Sequence, residues 1–123
     1  MRVLAAIVPA LLLVLALSLA PTLAAEIGAA ERVRIEQLIQ SIERLADARF
    51  IRNGRAHDAA TAGNFLRRKW ESRKDRVNTT EDFIVHVASV SSTTGAPYLI
   101  RFADGREVPC GVYLRSELQR LAP

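Results

Sequence analysis

Thr79-Thr80-Glu81-Asp82-Phe83-Ile84-Val85-His86-Val87-Ala88-Ser89-Val90-Ser91-Ser92-Thr93-Thr94-Gly95-Ala96-Pro97-Tyr98-Leu99-Ile100-Arg101-Phe102-Ala103-Asp104-Gly105 is the stretch whose reading decides the fold. Thr79 has the chemistry of a helix N-cap, and Asp82 three residues on can answer it in a capping box. Phe83, Ile84, Val87 and Ala88 then recur at helical spacing, which predicts a helix from Thr80 to about Val90. The pattern breaks at Ser91-Ser92-Thr93-Thr94-Gly95, where hydroxyls compete for backbone hydrogen bonds and a glycine tolerates positive φ. Beyond it the period changes to two. Tyr98, Ile100 and Phe102 alternate with Leu99, Arg101 and Ala103, and Asp104-Gly105 before Arg106-Glu107-Val108 is a hairpin signal. A helix, a polar loop and a hairpin therefore follow in close order, and none of them is a catalytic signature.

On the N-terminal side of this stretch, Ile35, Leu38, Ile39, Ile42, Leu45 and Ala46 keep an i, i+3, i+4, i+7 rhythm, predicting one amphipathic helix over Glu26 to Ala48. Phe50-Ile51-Arg52-Asn53-Gly54 ends it with a short extended piece and an Asn-Gly turn. A second helix starts at Asp58, a candidate N-cap, and runs through Ala62, Leu66 and Trp70 to a point before Asn78. On the C-terminal side, Pro109 and Gly111 stop the second strand with Cys110 in a turn between them, and Val112 to Leu121 closes the chain as a helix. The expected class is α+β, mainly helical, with about four helices packed with one β-hairpin. A lone hairpin is marginal in water, so this one must lean on the helices.

At the other end of the 123 residues, Met1 and Arg2 precede an apolar run from Val3 to Leu19, interrupted only by Ser18 and followed by Ala20-Pro21-Thr22-Leu23-Ala24-Ala25. This reads as a signal peptide over residues 1–24, cleaved after Ala24. The remaining residues, 25–123, form a single small α+β domain. A periplasmic or secreted location follows. The competing reading is an uncleaved anchor, because a run of about 17 apolar residues touches the lower limit for a membrane span. Only through that uncleaved leader would the chain engage a membrane.

Loss of the leader takes Arg2 and no acid, so the mature chain carries 16 basic and 13 acidic side chains. This balance is mild. Most of the excess is local, in Arg67, Arg68, Lys69, Arg73, Lys74 and Arg76, with only Glu71 and Asp75 between them. The segment is either a surface for anionic partners or a solvated helix face with mixed i,i+4 pairs. Export argues against nucleic acid as the partner.

Taken together these residues resemble a family of small exported bacterial proteins, the domain of unknown function 5329 family. The resemblance spans about Ile35 to Leu118. It rests on Phe50-Ile51-Arg52-Asn53-Gly54, on Leu66-Arg67-Arg68-Lys69-Trp70, on Thr79 with Glu81-Asp82-Phe83-Ile84, on Ser91-Ser92 with Gly95 and Pro97-Tyr98, and on Asp104-Gly105. Phe65 stands where the family often has His, and Tyr113 where a Trp-Leu pair is common. The resemblance implies location and fold and carries no activity.

Chemistry is sparse. Cys110 is the single cysteine, so it has no partner within the chain for a disulfide. A thiol mechanism would need His57 or His86 beside it. His86 reads as a partly buried structural residue, next to Val85 and Val87. Ser91 and Ser92 lack a nucleophile-elbow context, and two histidines with scattered carboxylates form no metal-ligand spacing. The sequence implies no cofactor and no metal. What remains is a non-enzymatic binding or interaction module for a peptide, glycan or anionic envelope component. Its candidate contacts are Arg52, Asn53, Ser91, Ser92, Gly95 and Tyr98, with the basic Arg67 to Arg76 segment alongside. A small envelope hydrolase or enzyme inhibitor, with a site not legible in the sequence, is the alternative.

Overall fold

Residues 27–122 are described by a computed structural model. The proposed leader and its cleavage point after Ala24 lie outside the described residues. The order of elements is α1 (Ala29–Glu43), β1 (Arg49–Arg52), β2 (Arg55–His57), α2 (Ala59–Ser72), a 3-10 turn (Lys74–Arg76), α3 (Thr80–Phe83) continuing as a π-helical turn (Ile84–Ala88), β3 (Leu99–Arg101), β4 (Glu107–Pro109) and α4 (Cys110–Leu121). The fold is α+β. No helix among the described residues is long and apolar enough to cross a membrane.

The sheet is larger than the single expected hairpin. Four antiparallel strands run in the order β2-β1-β3-β4, so two hairpins join through β1 and β3. Asn53 and Gly54 both have positive φ (52° and 77°) and make the two-residue turn of the first hairpin, as an Asn-Gly pair favours. Phe50 stands opposite Ile100 across the β1–β3 ladder, and both are buried. Each hairpin thus gains from the other the lateral support that a two-stranded ribbon lacks.

Helix α1 ends earlier than its periodicity suggests. After Glu43 the chain curls, with Leu45 N–H donating to the Ile42 carbonyl and Ala48 N–H to the Leu45 carbonyl, both at 3.0 Å. This curl tucks Ala48 into the core and packs Leu45 against it. Ile35, Leu38, Ile39 and Ile42 of α1 meet Leu66 of α2, Phe83 and Val87 of the third helical segment, Tyr98 and Ile100 of the sheet side, and Leu114 of α4 in one core.

The third helical segment begins where its sequence says it should. Thr79 Oγ1 accepts from Asp82 N–H at 3.0 Å, and the Asp82 carboxylate accepts from Thr79 N–H at 3.2 Å, completing the capping box. A third group joins from across the molecule. Glu31 on α1 accepts from Thr80 N–H at 2.6 Å and from its hydroxyl at 3.0 Å, and the Thr80 amide bond leads the effects that hold the Glu31 carboxyl below its usual range. Helical period alone does not reveal the widening into a π-turn at Ile84–Ala88. There Ser89 Oγ donates to the Ile84 carbonyl at 2.6 Å, taking up a backbone acceptor. Gly111 of α4 lies so close that a Cβ would sit 2.7 Å from Ser89 Oγ.

Cys110 is the first residue of α4 rather than part of a turn, and it is fully buried. Burial pushes its thiol up to about 12, which removes thiolate character at neutral pH. His86 is exposed rather than partly buried.

Candidate functional site: a cationic cleft between two loops and helix α2

Helix α2 positions the site. Asp58 caps it by accepting from Thr61 N–H at 2.8 Å, and Ala62 and Leu66 face the core. That anchoring fixes where the other turns point. Phe65, Arg68, Lys69 and Ser72 line a cleft of about 440 Å³, with Arg73 just beyond the helix. Arg52 closes it from β1, Tyr98 supports its floor, and Ser91, Ser92 and Thr93 form its far wall.

Lys69 is the most constrained residue here. Only 9% exposed, its Nζ donates to the Val90 carbonyl at 2.8 Å and to the Tyr98 hydroxyl at 2.9 Å. Both partners are neutral. Desolvation, followed by repulsion from Arg73 and Arg52, lowers its pKa to about 8. A buried ammonium is ordinarily matched by a carboxylate, yet among the described residues no carboxylate lines this cleft. Among the described residues, Arg52, Arg68, Lys69 and Arg73 form no ion pair, whereas Arg67 and Lys74 nearby do. The cleft therefore holds concentrated, uncompensated positive charge.

Its other groups are held in order. The Arg52 guanidinium lies over the Phe65 ring, 4.3 Å from the centroid, and Phe65 meets Tyr98 edge-on at 5.7 Å. Phe50 packs behind Tyr98 with the rings tilted, their centroids 5.3 Å apart. Arg73 Nη2 donates to Ser92 Oγ at 2.7 Å, while Arg73 Nε is buried with no hydrogen-bond partner among the described residues.

Several of the residues singled out in the sequence do meet here, each in a defined position. Arg52, Ser91, Ser92 and Tyr98 line one cleft. Asn53 stands beside it, its Oδ1 accepting from Thr94 Oγ1 at 2.7 Å, so the first hairpin turn is tied to the Ser/Thr loop. Ser91 is 4% exposed, and its hydroxyl serves the loop by accepting from the Thr93 and Thr94 amides at 3.3 Å each. Gly95, with φ 75°, turns that loop and does not line the cleft.

The basic segment divides. Arg68, Lys69 and Arg73 enter the cleft. Arg67 points to α1 and bridges Glu36 at 3.1 Å and Glu43 at 2.6 Å; it fastens two helices. Gly63 makes room for that bridge, since a Cβ there would collide with the Glu43 side chain. Lys74 pairs with Glu71, and Arg76 is exposed on the 3-10 turn. Phe65, Ser72 and Thr93 complete the cleft without having been singled out as contacts; the i,i+4 steps from Phe65 to Lys69 and from Arg68 to Ser72 are the signal that relates the two helical residues to it.

Residues 29–122 match a family described as "Family of unknown function (DUF5329)". The chain belongs to this family. A protein of Salmonella typhimurium (strain LT2), described as "Uncharacterized protein YfeK", is 40% identical over 74 residues, covering 60% of this chain and 62% of that relative. The chain thus spans less than two thirds of the length of the relative it matches. No solved structure matches it.

Proposed function

We propose that the chain is a non-enzymatic binding module of the periplasm or secreted space, and that the Arg52–Lys69–Arg73 cleft receives the negatively charged part of its ligand. The observation that carries this reading is the buried Lys69 ammonium, held by neutral acceptors beside Arg52 and Arg73 with no carboxylate among the described residues that line the cleft. Keeping these charges close together costs free energy through desolvation and mutual repulsion, and the attraction of an incoming anion offsets both. The cleft volume lies within the range of small-ligand sites. The location rests on the apolar leader of the sequence.

Calorimetry of the purified protein at low salt tests the binding claim. Inorganic phosphate and sulfate bind, lactose does not, and Lys69→Met weakens anion binding by about tenfold. Binding of lactose with no response to either anion overturns the reading. Intact-mass measurement of the exported protein tests location: the expected chain begins at Ala25, and a full-length mass confined to the membrane fraction contradicts it.

A further inference from the structure

We infer that the ligand class of this cleft is a phosphomonoester, a terminal dianionic phosphoryl group carried on a small organic body. The inference rests on the anion-site reading above and narrows it. Charge is the first argument. Lys69 has both Arg52 and Arg73 as repelling charge neighbours, so a single carboxylate leaves most of the positive charge unmatched, while a phosphomonoester supplies nearly two negative charges at neutral pH. Donor geometry is the second. Arginine forks suit phosphate oxygens in a two-point contact, and Arg73 Nε is a buried donor with no partner among the described residues. Ser92 Oγ already accepts from Arg73 Nη2, which leaves its proton free to donate onward. Three terminal phosphoryl oxygens have the acceptor capacity to engage several such donors at once.

The organic body follows from the remaining wall. Phe65 lines the cleft, with Arg52 across its ring. A cleft of about 440 Å³ exceeds the needs of a bare phosphate and leaves room for an apolar or ring-shaped group. The shared chemistry is a phosphomonoester, whether on a soluble metabolite or on a lipid headgroup.

Calorimetry at pH 7 with phenyl phosphate, phenyl sulfate and benzoate decides the inference. Phenyl phosphate binds at least about tenfold tighter than either monoanion. That preference fades as pH falls through about 6, where the phosphomonoester takes up its second proton. Arg73→Gln abolishes the preference while the melting temperature stays near that of the wild type, which excludes a folding defect. Equal affinity for the three anions overturns the phosphomonoester assignment and leaves the anion site standing. Failure of all three to bind overturns both. Co-sedimentation with phosphatidylcholine vesicles containing phosphatidic acid, competed away by phenyl phosphate, assigns the lipid-borne form. Phenyl phosphate binding without vesicle binding assigns the soluble one.

Discussion

Lys69 Nζ donates to the Tyr98 hydroxyl at 2.9 Å, joining helix α2 to the start of the second hairpin across a sequence separation of 29 residues. Tyr98 is 1% exposed and packed on Phe50 and Phe65, so its oxygen is a fixed acceptor at the cleft floor. Tyr98→Phe leaves a buried ammonium with one partner fewer and is expected to destabilise the protein by roughly 1–3 kcal/mol. Lys69→Met removes the charge and its desolvation cost but leaves the buried Tyr98 hydroxyl without its partner, so its urea midpoint is expected to lie between those of Tyr98→Phe and the wild type. A Lys69→Met protein less stable than Tyr98→Phe contradicts this account of the pair.

Alkaline stability separates two buried groups of opposite sign. The Cys110 thiol is raised from 9.0 to about 12, so the folded state retains a proton that the unfolded chain loses above pH 9.0, and stability falls with pH there. Lys69 is lowered from 10.5 to about 8. Between those values the unfolded chain binds more protons, and stability rises with pH. The two trends oppose each other. In Cys110→Ala the rise from Lys69 is expected to emerge between about pH 8 and 10, and Lys69→Met in that background flattens it. Urea melts across that range check both slopes.

Arg67 and Arg73 lie six positions apart and are expected to behave oppositely. Arg67 is partly exposed in its bridge to Glu36 and Glu43, so Arg67→Gln costs roughly 1 kcal/mol of stability and leaves phosphate affinity unchanged. Arg73→Gln gives the reverse pattern. Paired melting curves and phosphate titrations distinguish them, and a loss of affinity in Arg67→Gln would show that the cleft extends around the helix.

The third helical segment depends on its cap and more heavily on its core residue. Thr79→Ala removes the acceptor for Asp82 N–H and is expected to cost roughly 1 kcal/mol. Phe83 is fully buried and meets Trp70 edge-on at 5.8 Å, so Phe83→Ala costs on the order of 3–5 kcal/mol. Urea melts that rank Thr79→Ala at or above Phe83→Ala contradict this order.

The capping residues Thr79 and Asp58, the Asn53-Gly54 turn and the inward faces of the helices were legible because each is a local signal. Strand β2 was not. Arg55-Ala56-His57 is an edge strand with two exposed residues, and it shows no apolar alternation to distinguish it from a loop. Cys110 was misplaced because Pro109 reads as a strand stop, while in the fold it also stands at the entrance of α4. The cleft was half legible. Arg52 and the Ser/Thr loop each carry more polar capacity than their turns require, but the β1–β3 pairing that brings them together is a long-range contact. Composition likewise gives Arg67 and Lys69 the same sign of charge. Only packing sends one to Glu36 and Glu43 and leaves the other with no carboxylate partner among the described residues.

The central claim is that Lys69 sits in a cleft whose positive charge awaits an anion, and titration of its ammonium group by NMR tests it most directly. Following the Lys69 Cε and Nζ resonances against pH, the account predicts a pKa near 8 in the free protein and a clear upward shift when the protein is saturated with phenyl phosphate, because the bound anion favours the charged form. A Lys69 pKa near 10.5 that does not move on adding phenyl phosphate would contradict the account.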